Sequence, residues 1–337
     1  MTTTTLEPPA APAGGRITYR RYRGLEDIPG MAAANARLRT HVGLLEPIDV
    51  DAMLHRYTHL VNSDPLRDCV IAERDGATVG YCRVEWHDLV DGDRIHDITL
   101  VVDPAAWGNG IGGAFSGWAE ERLREVAAER PSGRRAWFAQ FVFDGDDEAE
   151  RTVLARGYTA VRWNAEMLRS TLDAIEEPVL PDGYLLRAPT QDELRAVFRM
   201  GVEAFAEHWG SSEAHEHDLA EWVDDPRFRR DLVVVAWAGL EPAACVSNMV
   251  ETQPDGSLRG LLDSVSTHPR HRRRGLARAA ILRSLRLLHD EGATSAYLGV
   301  DLDNHNRASE LYESCGFRTV SGSAAYRKPF SRQEPAP

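Results

Sequence analysis

The clearest periodic pattern of apolar residues lies near the C-terminal end of the chain. Apolar or small side chains recur at intervals of three and four residues, at Ala277, Ala280, Ile281, Ser284, Leu285 and Leu288. This spacing predicts a helix with one buried stripe. The run 261–267 predicts a strand before it, and residues 268–277 between them predict a tight basic turn.

The chemistry expected of such a turn is anion binding. The first N–H groups of a helix have no intrahelical acceptor, and the helix dipole adds positive charge there. Gly275 and Ala277 leave room for a phosphate near the main chain, and the arginines 272–274 add cations. A pyrophosphate is therefore the predicted ligand, although the same residues also fit a solvated run of arginines before an ordinary helix. The P-loop and dinucleotide signatures are absent.

A second motif follows in residues 304–317, with Asn304, the pair Leu311-Tyr312 and the pair Gly316-Phe317. A β-like run, 295–301, separates it from the basic helix. The order of Arg272-x-x-Gly275-x-Ala277 and this segment resembles the GNAT superfamily of N-acetyltransferases. The resemblance implies that the basic loop holds the pyrophosphate of acetyl-CoA, the expected acyl donor.

The chain also contains an internal repeat. Residues 69–76 correspond to 232–239 at an offset of 163, and residues 103–112 correspond to 268–277 at an offset of 165. A nearly constant offset predicts two copies of one α/β domain. This tandem arrangement resembles the mycothiol synthases within the superfamily.

The predicted fold class is α/β (mixed α+β), with two tandem GNAT-like domains. Each is expected to hold a mixed, mostly antiparallel twisted sheet flanked by helices. The predicted segments are a disordered tail (1–15), an N-terminal domain (16–170), a linker (171–183), a C-terminal domain (184–331) and a tail (332–337).

The two copies differ where the chemistry is expected. Trp107 stands at the position of Arg272, Asn109 replaces Arg274, and Val153 takes the place of Tyr312. The N-terminal domain is therefore predicted to be degenerate, as a structural partner, a weak acyl-CoA site or one wall of the acceptor pocket. Catalysis is expected in the C-terminal domain.

The resemblance implies particular roles for residues of that domain. Tyr312 is expected to donate a proton to the leaving thiolate, although packing over the thioester is an alternative. The N–H of Val265 or Ser266 would bind the thioester oxygen, and Asn304 would contact the pantetheine arm. The expected cofactor-binding residues are Val265, Ser266, Arg272, Arg273, Arg274, Gly275, Leu276, Ala277 and Asn304.

The general base and the acceptor are less determined. Asp263 and His208 are both candidates for the base, and Asp263 could instead anchor a neighbouring strand. Phe205, His208 and Trp209 are expected to line the acceptor pocket. The acceptor is expected to be a small polar amine, either a cysteinyl aminosugar like the mycothiol precursor or an antibiotic-like aminosugar. A non-catalytic acyl-CoA sensor or a small-molecule-sequestering protein is the alternative function.

Composition narrows the functional classes to which the protein could belong. The net charge of −13 argues against a general nucleic-acid binder. No apolar run is long enough to predict a membrane span, and the first residues do not resemble a signal peptide. Four cysteines without a C-x-x-C pair fit a reducing cytoplasm, and no metal constellation is evident. A monomer or a weak homodimer is expected.

Overall fold

A computed structural model describes residues 6–10, 16–304 and 307–330, with only the main chain of Glu216. The predicted tails therefore lie largely outside the described residues. Within the described ranges no helix is both long and apolar enough to cross a membrane. The four cysteines are buried and form no disulfide.

The first half of the chain alternates helices and strands in the order that the repeat predicts. Its elements are β1 (Ile17–Arg21), α1 (Ile28–Val42), α2 (Val50–Thr58), α3 (Pro65–Asp68), β2 (Cys69–Arg74), β3 (Ala77–Asp88), β4 (Arg94–Val102), α4 (Ile111–Glu129), β5 (Ala136–Phe143), α5 (Asp147–Ala155) and β6 (Thr159–Arg169).

The second half follows nearly the same order. Its elements are β7 (Tyr184–Arg187), α6 (Leu194–Phe205), α7 (Glu216–Asp224), β8 (Val234–Ala238), β9 (Glu241–Thr252), β10 (Leu258–Thr267), α8 (Leu276–Asp290), β11 (Ser295–Asp301), α9 (Ala308–Ser314) and β12 (Arg318–Pro329).

Two compact units result, which we call the first and the second unit. The first comprises the described residues up to Trp163 together with 323–330, and the second comprises Asn164–Gly322. Among the described residues, the strands of the first unit are ordered β1-β2-β3-β4-β5-β12, with β4 and β5 parallel and the other neighbours antiparallel. The described strands of the second unit are ordered β7-β8-β9-β10-β11-β6, with β10 and β11 parallel and the other neighbours antiparallel. The predicted mixed, mostly antiparallel fold class is confirmed.

The units do not follow the predicted boundaries of 16–170 and 184–331. Residues 164–169 of β6 pair with β11 in the second unit, and residues 323–329 of β12 pair with β5 in the first. Each unit is therefore completed by a strand from the other half of the sequence. The reason is register, because pairing partners rather than chain order decide which sheet a strand extends.

The predicted helix of the C-terminal half is α8. Its apolar stripe buries Ala280, Ile281, Leu285 and Leu288 in the core of the second unit, together with the strand residue Leu262. Ala277, the first residue of the predicted stripe, is only half-buried and faces a cavity instead. The N-terminal end of α8 thus lies at the cavity, and the buried remainder of the helix holds that end in place.

Candidate active site

The second unit contains a cavity of about 590 Å³ next to the N-terminus of α8. Strands β10 and β11, the basic turn, α9 and the end of α6 supply its walls. Most residues singled out from the sequence line it, namely Phe205, His208, Asp263, Val265, Ser266, Arg272, Arg273, Gly275, Leu276, Ala277, Asn304 and Tyr312.

A gap between two parallel strands opens the cavity. β10 and β11 pair only at three positions, from Arg259 opposite Ser295 to Leu261 opposite Tyr297. The register of β10 against β9 shifts between Leu262 and Ser264, so that Asp263 is an extra residue in a β-bulge. Such a bulge re-aims the strand that follows it. Val265 and Ser266, the expected oxyanion donors, lie on that diverging segment.

The anion turn has the geometry that its residues predict. Gly275 caps α8 with φ 80° and ψ 1°, and Arg273 is also left-handed, with φ 64°. A Cβ on Gly275 would meet no atom within 4 Å, so the left-handed φ rather than space favours glycine there. The first intrahelical bond runs from the Ala279 N–H to the Gly275 carbonyl at 3.0 Å. The N–H groups of residues 276–278 precede it and are therefore available to an anion.

The three arginines of the turn do not act as one cluster. Arg272 donates to the Glu207 carboxylate at 3.0 Å and to the Ala204 carbonyl at 2.9 Å. Arg273 is exposed and lines the cavity. Arg274 donates to the Tyr184 hydroxyl at 3.1 Å and is not among the residues that line the cavity, so its place around the anion stays a prediction.

Two other arginines were missed by sequence reasoning. Arg278 lines the cavity from the first turn of α8, and Arg307 lines it from the start of α9. Arg278 could have been found from its helical position, since residue N3 faces the same anion site as N1 and N2. Arg307 comes from the second motif, and no local pattern connects it with the first.

Tyr312 lies in the cavity wall with a side chain that is almost fully buried. Burial raises the pKa of its hydroxyl to about 12, and the neighbouring Cys315 thiol acts in the same direction. The hydroxyl therefore keeps its proton throughout the neutral range. This is the protonation state that a proton donor requires.

A cluster of three polar side chains lies in the wall formed by the end of α6 and the end of β11. The Asn304 amide lies 3.1 Å from the His208 Nε2 atom. The Asp301 carboxylate, which sequence reasoning missed, lies 3.8 Å from the same nitrogen. Asn304 therefore meets the imidazole as well as the space predicted for pantetheine.

The remaining predicted residues divide between the cavity and its surroundings. Phe205 lines the cavity and contacts the His208 ring edge-on, with ring centroids 5.6 Å apart. Asp263 is exposed at the bulge and also lines the cavity. Trp209 is 37% exposed and is not among the lining residues, so its place in the acceptor pocket stays a prediction.

In the first unit, a side chain from α5 closes the corresponding turn. Gly110 caps α4 with the same left-handed backbone as Gly275, with φ 75°. The Glu148 carboxylate, however, accepts a hydrogen bond from the Gly108 N–H at 3.3 Å and is largely buried. A Cβ on Gly112 would lie 2.7 Å from the Thr152 hydroxyl and 3.4 Å from the same carboxylate. An anionic group of the protein thus occupies the approach that a phosphate would need.

The two units also carry opposite charges at one pair of corresponding positions in the sequence. Glu148 and Arg307 each lie nine residues before the glycine of the Gly-aromatic pair, Gly157 in one half and Gly316 in the other. The first unit therefore carries a buried acid where the second carries an exposed base. Val153, at the position of Tyr312, is buried in the apolar core.

Comparison with known proteins identifies the family on both halves. The model of the acetyltransferase (GNAT) family matches residues 34–132 and 194–317. The mycothiol acetyltransferase of Streptomyces bingchenggensis is 30% identical over 262 residues, which are 76% of this chain and 79% of that protein. The mycothiol acetyltransferase of Rhodococcus jostii is 28% identical over 304 residues, 83% of this chain and 94% of its own.

Solved structures show the same fold. The GCN5-related N-acetyltransferase from Sphaerobacter thermophilus has a TM-score of 0.75 at 21% identity and covers 95% of this chain and 97% of its own. A tandem GNAT protein from the clavulanic acid biosynthesis pathway has a TM-score of 0.68 at 16% identity, covering 94% of this chain and 100% of its own.

Proposed function

The chain belongs to the GNAT family of N-acetyltransferases, and we propose that it transfers an acetyl group from acetyl-CoA to the amine of a small polar molecule. The chemistry is assigned to the second unit. The observation that carries this assignment is that one cavity unites the helix N-terminus, the splayed strand and Tyr312. We propose a cytoplasmic location and a monomer or a weak homodimer.

The charge and the shape of the cavity support acetyl-CoA as the proposed acyl donor. The pyrophosphate of acetyl-CoA would accept hydrogen bonds from the N–H groups that begin α8, with Arg273, Arg278 and Arg307 as cations around it. The pantetheine arm would lie in the gap between β10 and β11. The thioester oxygen would then face the N–H of Val265 or Ser266, which would stabilise the developing oxyanion.

The reaction requires a neutral amine to attack the thioester carbon. The new C–N bond forms while the C–S bond breaks, and the leaving thiolate is a better leaving group when it receives a proton. Tyr312 is the proposed donor of that proton, because burial keeps its hydroxyl protonated inside the same cavity. Asp263 and His208 are the two cavity-lining groups proposed to take the amine proton.

The proposed acceptor is a cysteinyl aminosugar of the mycothiol-precursor type, or an antibiotic-like aminosugar. The name shared by the relatives supports the first class, since two of them span three quarters or more of this chain. Acidic groups support a cationic amine, because Asp263, Asp301 and Glu310 all line the cavity. A protein that binds acyl-CoA without turnover is the alternative to the enzyme.

Calorimetric titration of acetyl-CoA into the full chain tests the site. We expect one bound molecule per chain, and Ala277→Glu should abolish binding by placing a carboxylate where the pyrophosphate belongs. An acid in the first helical turn is favoured by the dipole, so the variant should keep its stability. Gly113→Glu is the matched control, because Gly113 occupies the first turn of α4 and a Cβ there meets no atom within 4 Å.

The same proteins should then be assayed with a panel of amines that includes cysteinyl-glucosamine. Acetylation of one of them that disappears with Ala277→Glu and survives Gly113→Glu would support the enzyme. Two binding sites, or binding that only Gly113→Glu removes, would contradict the assignment to the second unit. Binding without acetylation of any amine would favour the non-catalytic alternative.

A further inference from the structure

A histidine and a carboxylate meet in the wall of the cavity that the end of α6 and the end of β11 form. His208 follows the end of α6, and Asp301 is the last residue of β11. The Asp301 Oδ2 atom lies 3.8 Å from the His208 Nε2 atom, and the Asp301 side chain is only 8% exposed. The Asp303 N–H donates to the other carboxylate oxygen at 3.0 Å, which fixes the orientation of the group.

This arrangement favours one nitrogen of the imidazole as the proton acceptor. The Asp301 carboxylate lies at ion-pair distance rather than hydrogen-bond distance from Nε2, and its charge favours a proton on that nitrogen. The Asn304 amide places its nitrogen 3.1 Å from Nε2, and exchange of its nearly indistinguishable O and N atoms would present the amide oxygen to an Nε2–H. The Nδ1 atom is left with its lone pair.

We propose that His208 is the general base of acetyl transfer and that Asp301 is the residue that positions it. The proposal rests on the function proposed above. As the amine nitrogen attacks the thioester carbon, its proton moves to His208 Nδ1 while the C–N bond forms. The C–S bond then breaks, and the sulfur takes the proton of Tyr312. Proton exchange with water returns His208 to neutral and Tyr312 to its protonated form.

The charges around His208 favour this role over the same role for Asp263. Glu207, its neighbour in the chain, pairs with Arg272 at 3.0 Å, so these two charges largely cancel. Asp263 from β10, Arg307 and Tyr312 face the cavity from the other walls. Asp301 is the buried carboxylate close to the ring, and an imidazolium formed there is stabilised by attraction over a short distance. Asp263 is exposed, where water weakens such effects.

The test is the pH dependence of kcat/KM for acetylation of cysteinyl-glucosamine by the full chain. We expect the wild-type kcat/KM to rise with pH along a limb to which both the acceptor amine and the general base contribute, because each must be neutral. His208→Gln should lower kcat/KM by about a hundredfold and leave only the part of this limb that belongs to the amine. Asp301→Asn should lower kcat by about tenfold, while acetyl-CoA affinity by calorimetry changes little. Asp301→Glu, which restores the charge, should recover part of the loss.

His289→Gln is the matched control. His289 also lies near a carboxylate, with its Nδ1 3.9 Å from Asp290, but it is an exposed pair at the end of α8. It should leave the profile unchanged. The inference is overturned if His208→Gln keeps the wild-type rate and limb, or if Asp263→Asn instead removes the part of the limb that does not belong to the amine. Failure of the proposed function would look different, because the wild-type chain itself would then acetylate nothing.

Discussion

Tyr312 illustrates how burial prepares a single side chain for chemistry. Its side chain is almost fully buried in the cavity wall, and this burial raises the pKa of its hydroxyl to about 12. A phenol in this state cannot ionise at neutral pH and remains a proton donor. The thiolate that leaves from acetyl-CoA is the group that would accept its proton as negative charge develops on sulfur.

Replacement of Tyr312 by phenylalanine tests this role. We expect kcat to fall by about ten- to a hundredfold, because the ring still fills its place while proton donation is lost. The dissociation constant of acetyl-CoA from calorimetry should stay within about twofold, since the anion turn is untouched. In the wild type, ionisation of Tyr312 should not lower kcat below about pH 11, since its pKa is raised to about 12. Unchanged turnover in the variant would show that the tyrosine only packs.

Single residues of the site were predictable from the sequence where one local motif contains them. Gly275 and Ala277 belong to one turn, and Tyr312 belongs to a motif with the Gly-Phe pair, so their shared cavity follows from the family resemblance. Asp301 and Arg307 reach the cavity from the end of a strand and the start of a helix, and no periodicity connects them with the basic turn. A run of arginines also does not reveal that one of them, Arg274, donates to the Tyr184 hydroxyl.

Secondary structure elements show how the two copies diverged. The left-handed glycine and the helix that follows it survive in both units, at Gly110 before α4 and Gly275 before α8. The change lies in the next helix, where α5 supplies a buried acid and the α9 region an exposed base. Comparison of the two turns alone predicted a loss of cations in the first half. It could not reveal that the Glu148 carboxylate occupies the place where a phosphate would bind.

Glu148→Ala tests this closure at the level of the element. Removal of the carboxylate leaves the Gly108 N–H and the start of α4 without their anion, so we expect the free energy of unfolding to fall by about 1–2 kcal/mol. Acetyl-CoA stoichiometry should stay at one, because Trp107 and Asn109 supply no cation and Thr152 still crowds Gly112. Thermal melting and calorimetry measure the two effects.

Glu150→Ala serves as the comparison, because Glu150 lies in the same helix and its carboxylate meets the Tyr326 hydroxyl at a long 3.4 Å. It should melt closer to the wild type. A second molecule of acetyl-CoA bound by Glu148→Ala would mean that the carboxylate alone kept the first turn from acting as a cofactor site.

At the scale of the whole molecule, the repeat was readable but the membership of its strands was not. Nearly constant offsets between landmarks indicate two copies, and the family matches on both halves agree. Alternation along β6 and β12 predicts strands, yet it does not say which neighbour each will pair with. The consequence is that the linker 171–183 separates the two repeats in the sequence, whereas the compact units divide at Trp163 and again at Gly322.

A chain divided at the exposed Val179, into residues 1–178 and 179–337, tests the strand exchange. Each fragment lacks a strand that its unit needs, because β12 buries Ala324 and Tyr326 in the first core while β6 buries Ala165 and Met167 in the second. Loss of such buried surface costs several kcal/mol, which is comparable to the stability of a domain. We expect neither fragment alone to melt cooperatively, and the two expressed together to regain cooperative melting and one acetyl-CoA site.

The control is an intact chain with a protease site at the same position, cleaved after folding. It should keep its melting transition and its binding, because Val179 is 79% exposed and the cut removes no strand. If the fragment 1–178 alone melted at the temperature of the full chain, the first unit would not need β12. Loss of structure in the cleaved control as well would point to the linker itself. Rescue only by the partner fragment identifies the exchanged strands as the element that each half of the sequence must receive from the other.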